Sequence, residues 1–363
     1  MILVTGGGGF IGSHVVDDLV AAGHDVRILD SLLQSAHAVR PDYLNPGAQF
    51  VEADVRDGDA LRRALLGVDA VCHQASMVGL GQNMLDVEDY VQHNDLGTAV
   101  LLRQLTAIGF GGRLVLASSM VVYGEGAYRC PEHGRVAPAP RNPLSLAAAR
   151  FTPTCPDCGG ELMPLAVDES SPLDPRNVYA ATKVHQEHLC FAYGRESGIA
   201  VTALRYHNVY GPRMPRDTPY AGVAAIFATA LAAGAAPRVF EDGEQLRDFV
   251  HVRDVARANV IALTSADPHD GPFNVASGRP RSVGEMARAL ADAAGPDAPR
   301  PVVTGEFRLG DVRHVFASAE RAERVLGFSA TEDFGEGMAE FARSPLRAGA
   351  LGRGCDTGRG DHI

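Results

Sequence analysis

The sequence predicts an α/β fold built on a doubly wound parallel sheet with helices on both faces. Two observations predict this class. Short runs of β-branched or aliphatic residues alternate with helical patterns through the first half of the chain, and the first run leads directly into a glycine-rich turn that opens a helix. The 363 residues are enough for two linked domains with a sizeable buried core.

The elements of the first half follow in a regular order. Apolar runs predict strands over residues 2–5, 26–30, 50–53, 70–74 and 113–118. Apolar residues at helical spacing predict helices over residues 10–22, 59–66 and 87–108. The alternation then breaks, and it resumes with a helix over 177–197 and a strand over 201–206.

The break holds many prolines and three cysteines, and it is too long for an ordinary connection between a strand and a helix. We interpret it as an insertion. Beyond residue 206 strict alternation is lost, which is typical of a smaller domain at the carboxyl ends of the strands. The predicted regions are a sheet domain over 1–124, the insertion over 125–168, a continued sheet domain over 169–206, a smaller domain over 207–343 that returns to the sheet near 247–265, and a disordered tail over 344–363.

Composition excludes several classes of function. The formal charge is −11, with no basic runs and no tryptophan, which argues against nucleic acid or an anionic membrane as a partner. No apolar stretch approaches about 18 residues, and no charged segment precedes the first strand, so we expect neither a membrane span nor a signal peptide. A cytoplasmic location is expected.

The glycine-rich turn predicts a dinucleotide site. Gly6, Gly9 and Gly12 stand in G-x-x-G-x-x-G spacing, with Phe10 and Ile11 at the start of the helix. Glycines at these positions permit the tight turn, the approach of a diphosphate to backbone N–H groups, and close packing of helix on strand. A Gly-rich turn is common by itself, so the prediction rests on its place between strand and helix.

Asp30 ends the second predicted strand, where an acid accepts hydrogen bonds from the adenine ribose hydroxyls. Its carboxylate would repel a 2′-phosphate, and no arginine follows directly. NAD is therefore favoured over NADP. Taken alone, Asp30 would be interpreted as a solvated acid at a strand end.

Lys183 is the only lysine among 33 basic residues, and Tyr179 stands four residues before it on the same helix face. A nearby ammonium favours the phenolate of a tyrosine that acts as a base, and lysine reaches ribose hydroxyls with a compact donor. Ser119, at a strand end, can donate a hydrogen bond beside the cofactor. The alternative is an amphipathic helix whose tyrosine packs and whose lysine is solvated.

These residues resemble the extended short-chain dehydrogenase/reductases, in particular the NAD-dependent nucleotide-sugar epimerase/dehydratase group. The motifs TGGGGFIG, SSMVVYG, YAATK, RYHNVYGPR, RDFVHVRDVA and RLGDVRH carry the resemblance over nearly the whole chain. It implies a Rossmann-type sheet domain, a smaller C-terminal substrate domain, tightly bound NAD, a nucleotide-diphosphate sugar as substrate, and a homodimer formed through the helices over 87–108 and 177–197.

The resemblance also implies roles for particular residues. Catalysis would fall to Ser119, Tyr179 and Lys183. Further cofactor contacts would come from Asp54, Val55, Gln74, Ala75, Asn94 and His207. Substrate contacts would come from Ser119, Met120, Asn208, Arg247 and Arg308.

The reaction follows from what is absent near Ser119. Family members that eliminate water carry an Asp-Glu pair after the serine or threonine, whereas this chain has Met120, Val121 and Val122. We therefore expect 4-epimerisation through a transient 4-keto sugar, most similar to dTDP-L-rhamnose 4-epimerases. UDP-glucose, UDP-N-acetylglucosamine and UDP-glucuronate remain alternative substrates, and a 4-ketoreductase or a non-catalytic NAD-binding sensor are alternative functions.

Four residues of the insertion predict a zinc site. Cys130 and His133, then Cys155 and Cys158, form two C-x-x-[C/H] elements that are each followed by glycine. Such pairs supply four tetrahedral zinc ligands, as in a zinc ribbon. Unligated thiols or a redox-active pair are the alternatives. The ion would brace the insertion, which we expect to rim the sugar pocket.

Overall fold

The computed structural model describes residues 1–34, 36–79, 84–216 and 222–348. Within them, seven parallel strands form one central sheet, which confirms the predicted α/β class. From one edge to the other the strands are Gly271–Val275, Val201–Tyr206, Arg113–Ser119, Ala70–His73, Ile2–Thr5, Val26–Asp30 and Gln49–Glu52.

The central strands are apolar because helices cover both faces of the sheet. Leu3 and Val4 point to opposite faces and are both fully buried. The order of strands reverses between Ile2–Thr5 and Ala70–His73, and this switch point opens a crevice at the carboxyl edge. The glycine turn and residues 74–75 follow these two strands directly.

Capping residues mark both ends of the helix that carries Tyr179 and Lys183. Asn177 caps Val178–Ser197 through a hydrogen bond from Ala180 N (2.8 Å), and Gly198 ends it with φ of 74°. The longer helices are Phe10–Ala21, Gly58–Ala64, Gly97–Ala107, Val178–Ser197, Val223–Ala232, Val252–Thr264, Val283–Ala294 and Phe334–Arg343.

The helix predicted over 87–108 is assembled from three pieces. Val87–Tyr90 is α-helical, Val91–Leu96 is a π-helical stretch, and Gly97–Ala107 continues as α-helix. Other predicted helices and strands of the first half agree with the structure within about one or two residues at each end.

Apart from strand Gly271–Val275, which joins the central sheet, most residues beyond 206 build a smaller layer of short elements. Its strand pairs are Asn208–Tyr210 with Phe249–His251, Pro215–Arg216 with Arg347–Ala348, Arg238–Val239 with Val302–Val303, and Leu246–Arg247 with Arg281–Ser282. Helices 223–232, 283–294 and 334–343 bury an apolar cluster around Met286 and Phe341. Helix Val252–Thr264 instead packs beneath the central sheet, where Val255 and Ala258 are fully buried.

The insertion contains a three-stranded antiparallel sheet and a five-residue helix. The strands are Ala127–Cys130, Gly134–Val136 and Met163–Leu165, and the helix is Pro143–Ala147. Backbone hydrogen bonds from Val167 N to Phe316 O and from Ser318 N to Val167 O join it to the C-terminal part of the chain.

Part of the predicted disordered tail is ordered. Arg347–Ala348 forms a strand against Pro215–Arg216, so the prediction of disorder over 344–363 is wrong for residues 344–348. Residues 349–363 lie outside the described residues. In the described part of the chain, no helix combines the length and apolarity needed to cross a membrane.

Candidate active site

A cavity of about 390 Å³ opens at the carboxyl edge of the central sheet. It extends from the glycine turn to the start of helix Val178–Ser197. Every predicted cofactor-binding residue except Asn94 lines it, together with Ser119, Met120 and Asn208. The fold thus brings together residues far apart in sequence, such as Gly6 and Asn208, which are 202 positions apart.

The glycine turn has no room for side chains at two of its fingerprint positions. Gly6 has φ of +69°, and a Cβ placed there would lie 2.6 Å from Ala75 N. A Cβ on Gly12 would collide with Gly6 O. The helix that follows has no side-chain cap at Gly9, so its first N–H groups remain available to an anion.

Asp30 holds this turn in place. One carboxylate oxygen accepts from Gly8 N (2.9 Å) and the other accepts from Leu32 N (2.8 Å). The Tyr43 hydroxyl closes the other side by donating to Gly8 O (3.0 Å). Asp30 is therefore a fixed acceptor that lines the cavity, and the ribose role predicted for it stays a prediction.

Lys183 is buried, with 2% of its surface exposed. Its Nζ donates to Ala117 O (2.9 Å) and lies 5.8 Å from the centre of the Tyr179 ring. Ser119 reaches the same place from the end of its strand. The predicted serine, tyrosine and lysine therefore converge on one wall of the cavity, which we call the catalytic wall.

Burial shifts both titratable groups of the catalytic wall toward their neutral forms. It lowers the pKa of Lys183 to about 7, against a partial counter-effect from Cys190 and Glu187. It raises the pKa of Tyr179, while a hydrogen bond with Ser119 opposes that rise. The phenolate was predicted from the ammonium and the positive nicotinamide ring acting together, and the chain alone carries only the first of these charges.

A buried ion pair, missed by the sequence analysis, supports the wall from behind. Arg205 donates from Nε and Nη2 to the two carboxylate oxygens of Glu187 at 2.9 and 2.7 Å, and Ser118 donates to Glu187 as well. Glu187 lies one helical turn after Lys183. This bidentate pair ties the tyrosine-bearing helix to two strands of the sheet. In the sequence, the only sign of this ion pair is that Glu187 stands four residues after Lys183.

Three predicted contacts are not in the cavity. Asn94 is fully buried behind its wall, where its amide bonds Met77 and Thr182 and thereby positions the loop at residues 76–77. Arg247 donates to the carbonyls of Val312, Arg313 and Leu246. Arg308 is exposed and stacks on the Phe240 ring at 5.1 Å. None of the three lines this cavity, and their predicted roles toward cofactor and substrate stay predictions.

Two residues that do line the cavity carry buried polar atoms without partners among the described residues. These atoms are both ring nitrogens of His207 and the Oδ1 of Asn208. Burial lowers the pKa of His207 to about 3, so its ring is neutral. Unsatisfied buried polar atoms that face a cavity are typical of a site that hydrogen-bonds a ligand.

The insertion lies apart from this cavity. None of residues 125–168 lines it, which corrects the expectation that the insertion rims the pocket. Its Arg141 instead donates to Glu241 and to Asp311 O, and Glu241 also pairs with Arg313 (2.8 Å). The insertion is therefore attached to the loop at residues 311–313.

The four predicted metal ligands meet at one point of the insertion. Cys130 Sγ lies 3.6 Å from Cys158 Sγ and 3.5 Å from His133 Nδ1, and Cys155 Sγ lies 3.6 Å from the same nitrogen. Zinc–sulfur bonds of about 2.3 Å place tetrahedral ligands about 3.8 Å apart. The spacing fits zinc and is far too long for a disulfide. Cys72 and Cys190, outside this group, are buried free thiols.

Comparison with known proteins agrees with this geometry. The chain matches the NAD dependent epimerase/dehydratase family over residues 2–157 and 155–276. It belongs to this family, as the sequence motifs predicted.

Individual relatives align over nearly the full chain. It is 34% identical over 345 residues to a dTDP-L-rhamnose 4-epimerase from Burkholderia thailandensis, covering 94% of this chain and 93% of the relative. The structure of UDP-glucose 4-epimerase with UDP-glucose from Thermotoga maritima has a TM-score of 0.75 at 30% identity, covering 94% and 97% of the two chains. UDP-glucose 4-epimerase from Thermus thermophilus, in complex with NAD, has a TM-score of 0.72 at 30% identity with the same coverage.

Proposed function

We propose that this protein is an NAD-dependent nucleotide-sugar 4-epimerase. The observation that carries the proposal is one cavity with a glycine turn at one end and Ser119, Tyr179 and Lys183 at the other. A dinucleotide has a diphosphate in its middle and its reactive ring at one end, so a cavity of this layout suits it. The relatives named above, which act on nucleotide sugars, support the same activity.

The residues present fit NAD. Gly6 and Gly12 leave space that any Cβ would fill, and Asp30 offers a fixed acceptor for ribose hydroxyls. Asp54 and Val55 line the cavity and would contact the adenine. NAD, when bound, supplies an acceptor for the sugar's hydride and a donor that returns it.

Residues of the catalytic wall carry out the proton transfers of this reaction. Tyr179 takes the proton of the C4 hydroxyl as the sugar becomes a 4-keto sugar, and gives a proton back to the C4 oxygen when the opposite C4 configuration forms. Ser119 donates a hydrogen bond to the same oxygen. Lys183, held by Ala117 O, orients the cofactor's ribose and adds positive charge beside the phenol when protonated.

The neighbours of Ser119 favour epimerisation over elimination. Met120 lines the cavity, and Val121 and Val122 follow it. None of these side chains can protonate a leaving hydroxyl or remove a C5 proton. A reaction that needs one acid/base group at C4 therefore fits this wall best.

A dTDP-6-deoxyhexose of the L-rhamnose type is the substrate we favour, because of the 34% identity to the Burkholderia enzyme. The decisive experiment incubates the purified chain with dTDP-L-rhamnose, UDP-glucose, UDP-N-acetylglucosamine and UDP-glucuronate, without added NAD, and follows the C4 epimers by NMR. Conversion of one sugar supports the proposal. Net consumption of NADH or NADPH would instead indicate a ketoreductase, and bound NAD with no conversion would indicate a sensor.

We also infer that the Cys/His cluster of Cys130, His133, Cys155 and Cys158 holds a structural zinc ion, as in a zinc ribbon. All four ligand atoms lie within 4.8 Å of one another. Four protein ligands leave no open position, so this ion would hold the insertion together and take no part in catalysis.

A homodimer is our proposal for the assembly. The helical segment at residues 87–107 exposes Val91 and Leu96, by 43% and 48%, and helix Val178–Ser197 packs beside it. Pairing these two helices with those of a second copy would cover the exposed apolar side chains. Light scattering that gives the mass of one chain would contradict this assembly.

A further inference from the structure

The C-terminal strand Arg347–Ala348 lies over the cofactor end of the cavity. Arg347 N donates to Met214 O (3.0 Å), and the strand pairs in parallel with Pro215–Arg216. Leu346, just before it, packs on the apolar cluster around Met286 and Phe341. The backbone at Arg347 is therefore anchored on both sides, and its side chain lines the cavity.

The Arg347 guanidinium makes only some of the hydrogen bonds that it can donate. Its Nη1 donates to the Tyr43 hydroxyl (3.1 Å), which itself donates to Gly8 O of the glycine turn. Its Nε is buried and has no hydrogen-bond partner among the described residues. The neighbouring Arg213, which stacks on the Tyr43 ring, is paired with Asp17 (2.7 Å) and so is already neutralised.

The charge balance of the cavity makes this arginine significant. Among the described residues that line the cavity, Lys183 and Arg347 are the only lysine or arginine, and Lys183 lies on the catalytic wall. Asp30 and Asp54 add negative charge. The diphosphate of a dinucleotide brings two further negative charges. The glycine turn would receive this diphosphate, and the Arg347 guanidinium lies near that turn. Arginine binds phosphate through its planar fork of N–H donors.

We propose that Arg347 binds a phosphate group of the dinucleotide, so that the C-terminal strand becomes part of the cofactor site. This inference rests on the proposed NAD-dependent function. The phosphate has two possible sources: the diphosphate, which NAD and NADP share, and the ribose 2′-phosphate, which NADP alone carries.

The test is equilibrium dialysis of the full chain, first stripped of any retained dinucleotide, against NAD and against NADP, with Arg347→Gln compared to wild type. Arg343→Gln is the matched control, because Arg343 is an exposed arginine four residues earlier that does not line the cavity. We expect Arg347→Gln to raise the Kd about tenfold or more, and the control to leave it unchanged. Weakening of both dinucleotides assigns the contact to the diphosphate, and weakening of NADP alone assigns it to the 2′-phosphate.

Unchanged affinity of Arg347→Gln for both dinucleotides overturns the proposal while leaving the proposed function intact. Wild-type protein that binds neither overturns both. If Arg347→Gln melts at a lower temperature than Arg343→Gln, Arg347→Lys replaces it. That variant keeps the charge and loses the fork, so its Kd rises by less than in Arg347→Gln; an unchanged Kd again overturns the proposal.

Discussion

The catalytic wall and the Cys/His cluster are organised in opposite ways. Ser119 and Lys183 are 64 residues apart in sequence, and they meet because a strand and a helix pack in the largest apolar cores of the molecule. The four cluster residues span only 130–158, and the apolar group around them has four buried members, two of which are Cys130 and Cys155. Packing positions the first region, whereas the second has little apolar core and, by our proposal, is held together by zinc.

The comparison predicts that the catalytic wall can lose activity without losing stability. Tyr179→Phe should lower kcat by about 10²- to 10⁴-fold, because the acid/base group is removed while the ring remains. The melting temperature should stay close to wild type. Tyr193→Phe, on the same helix but outside the cavity, is the control and should turn over normally. Near-normal kcat in Tyr179→Phe would disprove the assigned role.

A smaller loss is expected for Lys183→Arg. The charge is kept, but a guanidinium must fit where a 2%-exposed ammonium now donates to Ala117 O. We expect kcat to fall at least about tenfold, equivalent to about 1.4 kcal/mol of transition-state stabilisation. Steady-state kinetics on the sugar identified by NMR measure it. Normal turnover would mean that the chain's one lysine has no particular chemical task.

For the Cys/His cluster we expect the reverse, a loss of stability without a loss of activity. Cys155→Ser should leave less than about half an equivalent of zinc in protein purified without chelator and should lower the melting temperature, because metal binding stabilises the fold. The kcat should stay close to wild type, since the insertion does not line the cavity. Cys190→Ala, which alters a buried thiol outside the cluster, should keep its zinc. Wild-type protein without zinc would contradict the metal site outright.

The last prediction is on stability alone and concerns the buried imidazole of His207. Its pKa is about 3 in the folded chain and about 6.5 when exposed, so the unfolded chain binds the extra proton between these values. This contribution to stability is complete above pH 6.5 and is lost as pH falls toward 3. Buried acids with raised pKa, such as Asp248 and Glu169, act in the opposite direction.

The measurement is therefore a difference between two proteins. His207→Gln removes one such imidazole, so its free energy of unfolding should fall less steeply with acidification, by about 1.4 kcal/mol per pH unit between pH 6 and 4. Urea melts of both proteins without cofactor give this slope. Parallel slopes would show that His207 is protonated in the fold.

The sequence predicted the parts of the site that local geometry determines. Gly6 and Gly12 are required because the turn and the packing of helix on strand exclude any Cβ. Tyr179 and Lys183 share a face because the helix repeats every 3.6 residues. These constraints act over a few residues and so leave a pattern in the sequence.

The contacts that the sequence did not indicate depend on long-range packing. Arg347 reaches the cavity through a two-residue parallel pairing with a segment 132 residues earlier. So short a pairing leaves no periodic pattern of apolar residues in the sequence. Asn94 follows the family motif, yet the π-helical stretch that contains it faces a loop and not the cavity. Arg247 is engaged by the carbonyls of residues 312 and 313, which only the tertiary structure brings near.

The burial of Lys183 has a practical consequence for labelling this protein. Because it is the chain's one lysine and its Nζ is enclosed, the folded protein offers amine-acylating reagents no exposed lysine side chain. An acyl group located on Lys183 by mass spectrometry, and distinguished from one on the α-amino group, would therefore report access of the reagent to the catalytic wall.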